Sequence, residues 1–161
     1  MIPKNTRILF AYLLFVLSSA VSSAPLSALE IPDSTIHKSF LLKSWMPGKP
    51  SLVVFKDPSC PYCVRDLKKR SQLNNFNVFL FWAPILGDRS VDHVNIFFKC
   101  SSSSSEKVIK AVIDRVKPEC EGPFNEELFK LNNSMVEAYN PISVPQYWFG
   151  GRQVSFTQLT Q

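Results

Sequence analysis

The stretch Leu52-Val-Val-Phe-Lys-Asp-Pro-Ser-Cys60-Pro61-Tyr62-Cys63 decides the fold of this chain. An apolar, β-prone run ends in two cysteines separated by two residues, and a helix-like segment follows at once. The unbroken apolar run predicts a central strand covered on both faces. The spacing then predicts a helix over 61–72, with Val64 and Leu67 facing inward and Arg65, Lys68 and Lys69 outward. Pro61 suits the first turn, where a residue needs no N–H and gains from a fixed φ. Cys60 would meet the unpaired N–H groups and the positive end of the helix dipole, which stabilise a thiolate. That makes Cys60 the attacking nucleophile and Cys63, one turn further in, the resolving thiol. The spacing alone also fits a zinc site or a static bridge; the strand-then-helix context is what favours redox chemistry.

Working outward, Phe76 to Trp82 predicts a second buried strand, stopped by Pro84 and Gly87. Helices are expected over Ser90–Cys100, Glu106–Val116 and Asn125–Ala138, the second carrying Val108, Val112, Ile113 and Val116 on one face. The serine tract Ser101 to Ser105 between them reads as a solvated loop. Near the end, Gln146-Tyr-Trp-Phe, Gly150-Gly151 and Arg152 to Phe156 form a hairpin pattern, the glycines supplying the positive φ of a tight turn. Strands mixed with helices in this order predict an α/β sandwich around a small mixed sheet.

The N-terminus has the form of an export signal: Lys4 and Arg7, then the apolar Ile8 to Leu17, then small residues up to Ala24. Residues 1–24 are read as a leader, cleaved after Ala20 or Ala24, and its apolar core is short for a span of about 20 residues. Its removal takes away two cations and lowers the formal charge from +5 to +3. A polar, proline-punctuated extension follows over 25–50, with a weakly amphipathic piece, Thr35 to Trp45, readable as a short helix. About 137 residues then remain, enough for one domain with a proper core. Outside the cytosol disulfides persist, so the four cysteines are read in an oxidising setting. The basic residues do not alternate with aromatics along a groove-like stretch, so no nucleic acid is expected. His37 and His93 have no ligand partner at metal spacing, and Asn132-Asn133-Ser134 matches a glycosylation triplet by pattern only.

Strand, CxxC and helix, followed by a distant Val144-Pro145 just before a terminal hairpin, resemble the thioredoxin fold. In detail, Phe55-x-Asp57-x-x-Cys60-x-Tyr62-Cys63 is similar to the active-site segment of the periplasmic DsbC/DsbG disulfide-isomerase group. The resemblance spans roughly residues 50–156. It implies a thioredoxin-like domain over 51–161 with a helical insertion at about 88–138, and a structural disulfide between Cys100 and Cys120. A zinc knuckle would need those two at close spacing, and they stand twenty residues apart. The resemblance also implies a cis Pro145 beside the active-site pair. Val144 would offer backbone groups to an extended substrate, Tyr62 would shape the exposed lip, and Asp57 is a possible proton relay to Cys63 or else a solvated turn residue. The chain departs from the group in lacking its dimerisation domain, in carrying Val rather than Thr before the proline, and in a final helix nearly absent after Phe156.

The function this implies is an exported, periplasmic thiol:disulfide oxidoreductase. It would form, reduce or isomerise disulfides in cysteine-containing exported proteins, as a monomer recycled by a membrane redox partner, with no cofactor and no metal. The alternative is a thioredoxin-like chaperone or assembly factor for a secretion or conjugation apparatus, with little redox turnover.

Overall fold

A computed structural model describes residues 35–161. The leader expected over 1–24, and residues 25–34 of the extension, lie outside the described residues. Within them the chain forms α1 (Thr35–Lys38), β1 (Ser51–Lys56), α2 (Pro61–Lys68), β2 (Asn77–Trp82), α3 (Asp88–Phe97), α4 (Glu106–Asp114), α5 (Glu126–Tyr139), β3 (Gln146–Phe149), β4 (Arg152–Val154) and α6 (Phe156–Leu159). The four strands make one mixed sheet in the order β2-β1-β3-β4. β1 pairs parallel with β2, in register Ser51 to Asn77 through Lys56 to Trp82, and antiparallel with β3. The β3–β4 hairpin turns on Gly150 and Gly151, both at positive φ.

The β1 pattern fixes the layers, because neighbouring side chains on a strand point to opposite faces. Phe55 meets Tyr139 of α5 at 5.1 Å between ring centroids, and Tyr139 meets Trp148 at 5.0 Å, so α5 covers that face. Lys56 points the other way, toward Asp66 of α2. α2 buries Val64 and Leu67 and packs on α4. Phe40, Leu52, Val54, Phe55, Leu67, Leu80, Phe81 and Trp82 are fully buried in the core between these layers.

Three local expectations are corrected. The helix expected over Thr35–Trp45 lasts one turn only. Leu41 then forms an antiparallel bridge to Phe79 of β2, with Leu42 N–H donating to Val78 O and Leu80 N–H to Phe40 O. Pairing with an unsatisfied strand edge outweighs a weak amphipathic signal in so short a piece. The helix over 61–72 is α-helical to Lys68 and tightens to a 3₁₀ turn at Arg70–Leu73. The serine tract is not a solvated loop, since Ser103 and Ser104 are buried. Trp82 Nε1–H donates to Ser103 O at 2.8 Å, and the Ser104 hydroxyl meets the carbonyls of Leu41 and Ser39 at 2.9 and 3.0 Å. Small hydroxyl side chains allow close approach and satisfy backbone acceptors there, which composition alone hides.

Candidate functional site

The Cys60–Cys63 segment sits where β1 ends, because its neighbours converge on that point. β1 and β2 are parallel and finish together, and β3 begins with Gln146 opposite Phe55. Val144 and Pro145, joined by a cis peptide bond, therefore enter β3 beside the start of α2. Cys60 is the N-cap of α2, with Pro61 in the first turn. Its Sγ accepts the Cys63 N–H at 3.4 Å, and its thiol lies 3.6 Å from the Val144 carbonyl oxygen. Both cysteines are free thiols and both are buried, while Tyr62 between them is 60% exposed. The Arg65 guanidinium stands 5.0 Å from the Tyr62 ring centroid, a cation–π pair at the lip.

Asp57 is fully buried rather than a solvated turn residue. Its carboxylate accepts from Ser59 N–H at 2.7 Å, the Ser90 hydroxyl at 2.8 Å and Leu86 N–H at 2.9 Å. It thereby ties the active-site loop, the exit of β2 and α3 together. The Asp57 backbone favours the Cys63 thiolate, opposing in part the effect of burial.

A second group beneath the thiols went unnoticed in the sequence. Lys56, only 2% exposed, donates to the Tyr147 hydroxyl at 2.8 Å, and that hydroxyl donates to Asp66 Oδ2 at 2.8 Å. Lys56 Nζ also lies 4.0 Å from Asp66 Oδ2. Burial pushes the Lys56 ammonium down to about 8, with Cys63, Asp66 and Cys60 pulling it back up. Burial likewise drives the Cys63 thiol far above its ordinary value, and the Lys56 charge is the largest influence in the other direction. The Tyr147 hydroxyl is pushed up by burial and by its bond to Asp66, so it stays protonated. The signal was present in the alternation of β1, which puts Lys56 on the same face as Leu52 and Val54. A lysine on a doubly covered strand needs a buried partner.

Cys100 and Cys120 are bonded, with Cα atoms 5.0 Å apart, and bridge the end of α3 to the segment before α5. They stand apart from Cys60 and Cys63 as a separate pair. Asn132 of the glycosylation triplet is buried, its amide holding both backbone groups of Trp82, so it is not presented to an enzyme. Of the basic residues around α2, Arg70 pairs with Glu106 at 2.7 Å and Arg65 lies 3.5 Å from Asp66.

No protein-family model matches this chain, and no curated protein does. Solved structures do match. The chain is similar to a disulfide interchange protein from Neisseria gonorrhoeae, with 21% identity and a TM-score of 0.58, over 78% of this chain and 93% of that one. Fainter likenesses include a periplasmic thioredoxin-like protein from Salmonella enterica serovar Typhimurium, with 16% identity and a TM-score of 0.47, over 77% of this chain and 91% of that one. The catalytic domain of Proteus mirabilis ScsC, with 18% identity and a TM-score of 0.47, covers 69% and 79%. Sheet order, helix placement and the first of these likenesses together define a thioredoxin-like α/β fold.

Proposed function

We propose that the chain is an exported thiol:disulfide oxidoreductase, with Cys60 as nucleophile and Cys63 as resolving thiol. The observation that carries this reading is the placement of two free thiols at the α2 N-terminus, beside a cis Val144–Pro145 bond and above a buried lysine. The Cys60 thiolate attacks a client disulfide; one client sulfur leaves as a thiolate and takes up a proton. Cys63 then loses its proton and attacks the Cys60 sulfur, releasing the second client thiolate. The protein ends as a Cys60–Cys63 disulfide and the client has gained two electrons. Run backwards, the same steps oxidise a client dithiol.

The slow element of this sequence is Cys63, whose burial holds on to the proton. Lys56 opposes that hold by favouring the thiolate charge. Val144 offers its backbone to an extended client segment, as added strands do on sheet edges. The similar Neisseria protein is a disulfide interchange protein, which supports the same reaction class. Clients are cysteine-containing proteins outside the cytosol, the chain acts as a monomer in the periplasm, and a membrane redox partner restores its working state. Among the described residues no helix is long and apolar enough to cross a membrane.

The test is a titration of the purified domain in glutathione buffers, following Cys60 alkylation. A reversible two-electron transition is expected. A potential near about −120 to −180 mV assigns an oxidant or isomerase, and one near about −270 mV a reductant. No transition, or full activity in the Cys60→Ser/Cys63→Ser variant, sinks the redox reading in favour of a binding module.

A further inference from the structure

Immediately before Cys60, a small pocket of about 60 Å³ opens between the active-site loop, α3 and α4. Ser59 comes from the loop, Arg89 and His93 from α3, and Val112, Arg115 and Val116 from α4 and its end. Its volume suits a few waters or one carboxylate group.

The two guanidinium groups give this pocket an anionic preference. The Ser59 hydroxyl is buried and has no hydrogen-bond partner among the described residues. Arg89 and Arg115 are exposed and make no ion pair among the described residues. Arg115 caps α4 at φ 58°, a left-handed conformation where glycine is the usual occupant. The Asp57 carboxylate beneath the loop is already engaged by Ser59 N–H, Leu86 N–H and the Ser90 hydroxyl. The local field agrees. Burial, then Arg89 and Lys117, push the His93 imidazole down, while Asp92 and Asp57 pull it back only in part.

We propose that this pocket binds a carboxylate of the client, carried by an acidic residue one or two positions from the client's reactive cysteine. Consecutive Cα atoms lie about 3.8 Å apart, so the near neighbours of a client cysteine bonded to Cys60 stay within a few residues' span of the adjoining Ser59. The guanidinium pair supplies the charge that a carboxylate complements. The client class is thereby narrowed to acidic cysteine-containing segments. This inference rests on the redox reading above.

The experiment uses two capped peptides, identical except for Glu or Gln two residues before a cysteine held as its 2-thiopyridyl disulfide. Reduced protein attacks the peptide sulfur and releases pyridine-2-thione, which is followed by absorbance. The Glu peptide should react about fivefold faster, the scale of two partly exposed charge pairs. The advantage should shrink in high salt and fall to about one in the Arg89→Gln/Arg115→Gln variant. Arg89→Gln alone, which leaves the α4 terminus intact, should remove about half of it. Equal rates for the two peptides, or an advantage that survives the double substitution, overturns the proposal. If neither peptide releases thione the redox reading fails instead. A second readout then judges the pocket: the His93 ring signals followed by NMR as a cysteine-free Glu peptide is added. An upward-shifted His93 titration with the Glu peptide and none with the Gln peptide upholds the pocket. No shift overturns it, and an equal shift with acetate overturns the client assignment, leaving a small-anion site.

Discussion

Lys56 Nζ and the Tyr147 hydroxyl, 2.8 Å apart, join β1 to β3 on the face that carries α2, directly beneath the buried Cys63. The cation is 2% exposed, so its charge is felt strongly by Cys63, Asp66 and Cys60. Under the proposed redox reading, this relationship makes a strand-end lysine part of the thiol chemistry.

Lys56→Met should therefore slow the second chemical step more than the first. With the cation gone, the largest influence opposing burial at Cys63 is lost, and its thiolate becomes scarcer. The mixed disulfide at Cys60 should accumulate, with resolution slowed about tenfold or more, equivalent to a shift of one pKa unit or above. Quenched-flow trapping of the intermediate checks this. Equal slowing of attack and resolution would assign Lys56 a purely structural part.

The same lysine gives the fold a pH signature. Its folded value of about 8 lies below the ordinary 10.5, so the unfolded chain binds more protons between those limits. Stability from this group is lowest below pH 8 and rises as pH climbs toward 10.5. In the oxidised protein, where neither active-site sulfur titrates, stability relative to Lys56→Met should improve by about 2 kcal/mol between pH 7 and pH 9.5. Urea unfolding at the two pH values measures it, and a flat difference would contradict the buried charge.

Reduced Cys63 has the opposite sign. Burial raises its folded value above the ordinary 9.0, so its contribution is full below pH 9 and is lost as pH rises beyond it. Cys63→Ser should abolish that alkaline loss and, in turnover, leave the client tethered to Cys60 as a stable mixed disulfide visible on a non-reducing gel.

The Cys100–Cys120 bridge should matter to stability and little to chemistry. Closing a loop with a sequence separation of 20 constrains the unfolded chain by about 3 kcal/mol in the chain-entropy account. Cys100→Ala/Cys120→Ala should lose stability of that order while keeping the Cys60–Cys63 potential. A shifted potential would reveal exchange between the two pairs.

The readable part of this fold was the part written in local pattern. β1, the cysteine pair at a helix start, β2 and the glycine hairpin follow from apolar runs and turn chemistry within a few residues of one another. Lys56, Asp66 and Tyr147 lie on three elements and come together only through the sheet order, so no local window holds all three. The Ser103 and Ser104 contacts were hidden for a related reason: their partners Trp82, Ser39 and Leu41 are distant in sequence, and serine carries no burial signal of its own. The pocket at Ser59 depends on how α3 and α4 pack on the active-site loop, which sequence spacing does not encode.

Much of the outer edge of β2 is occupied. Residues 40–42 take up Val78 O and Leu80 N–H, and the Asn132 amide takes both backbone groups of Trp82. A bare strand edge templates further strands and seeds aggregation. On this side the sheet is largely covered, and among the described strands the three-residue β4 stands at the opposite margin. Self-assembly into fibres through β2 would first require residues 40–42 and α5 to be peeled away, which gives the molecule a built-in resistance to polymerising in crowded, partly unfolded company.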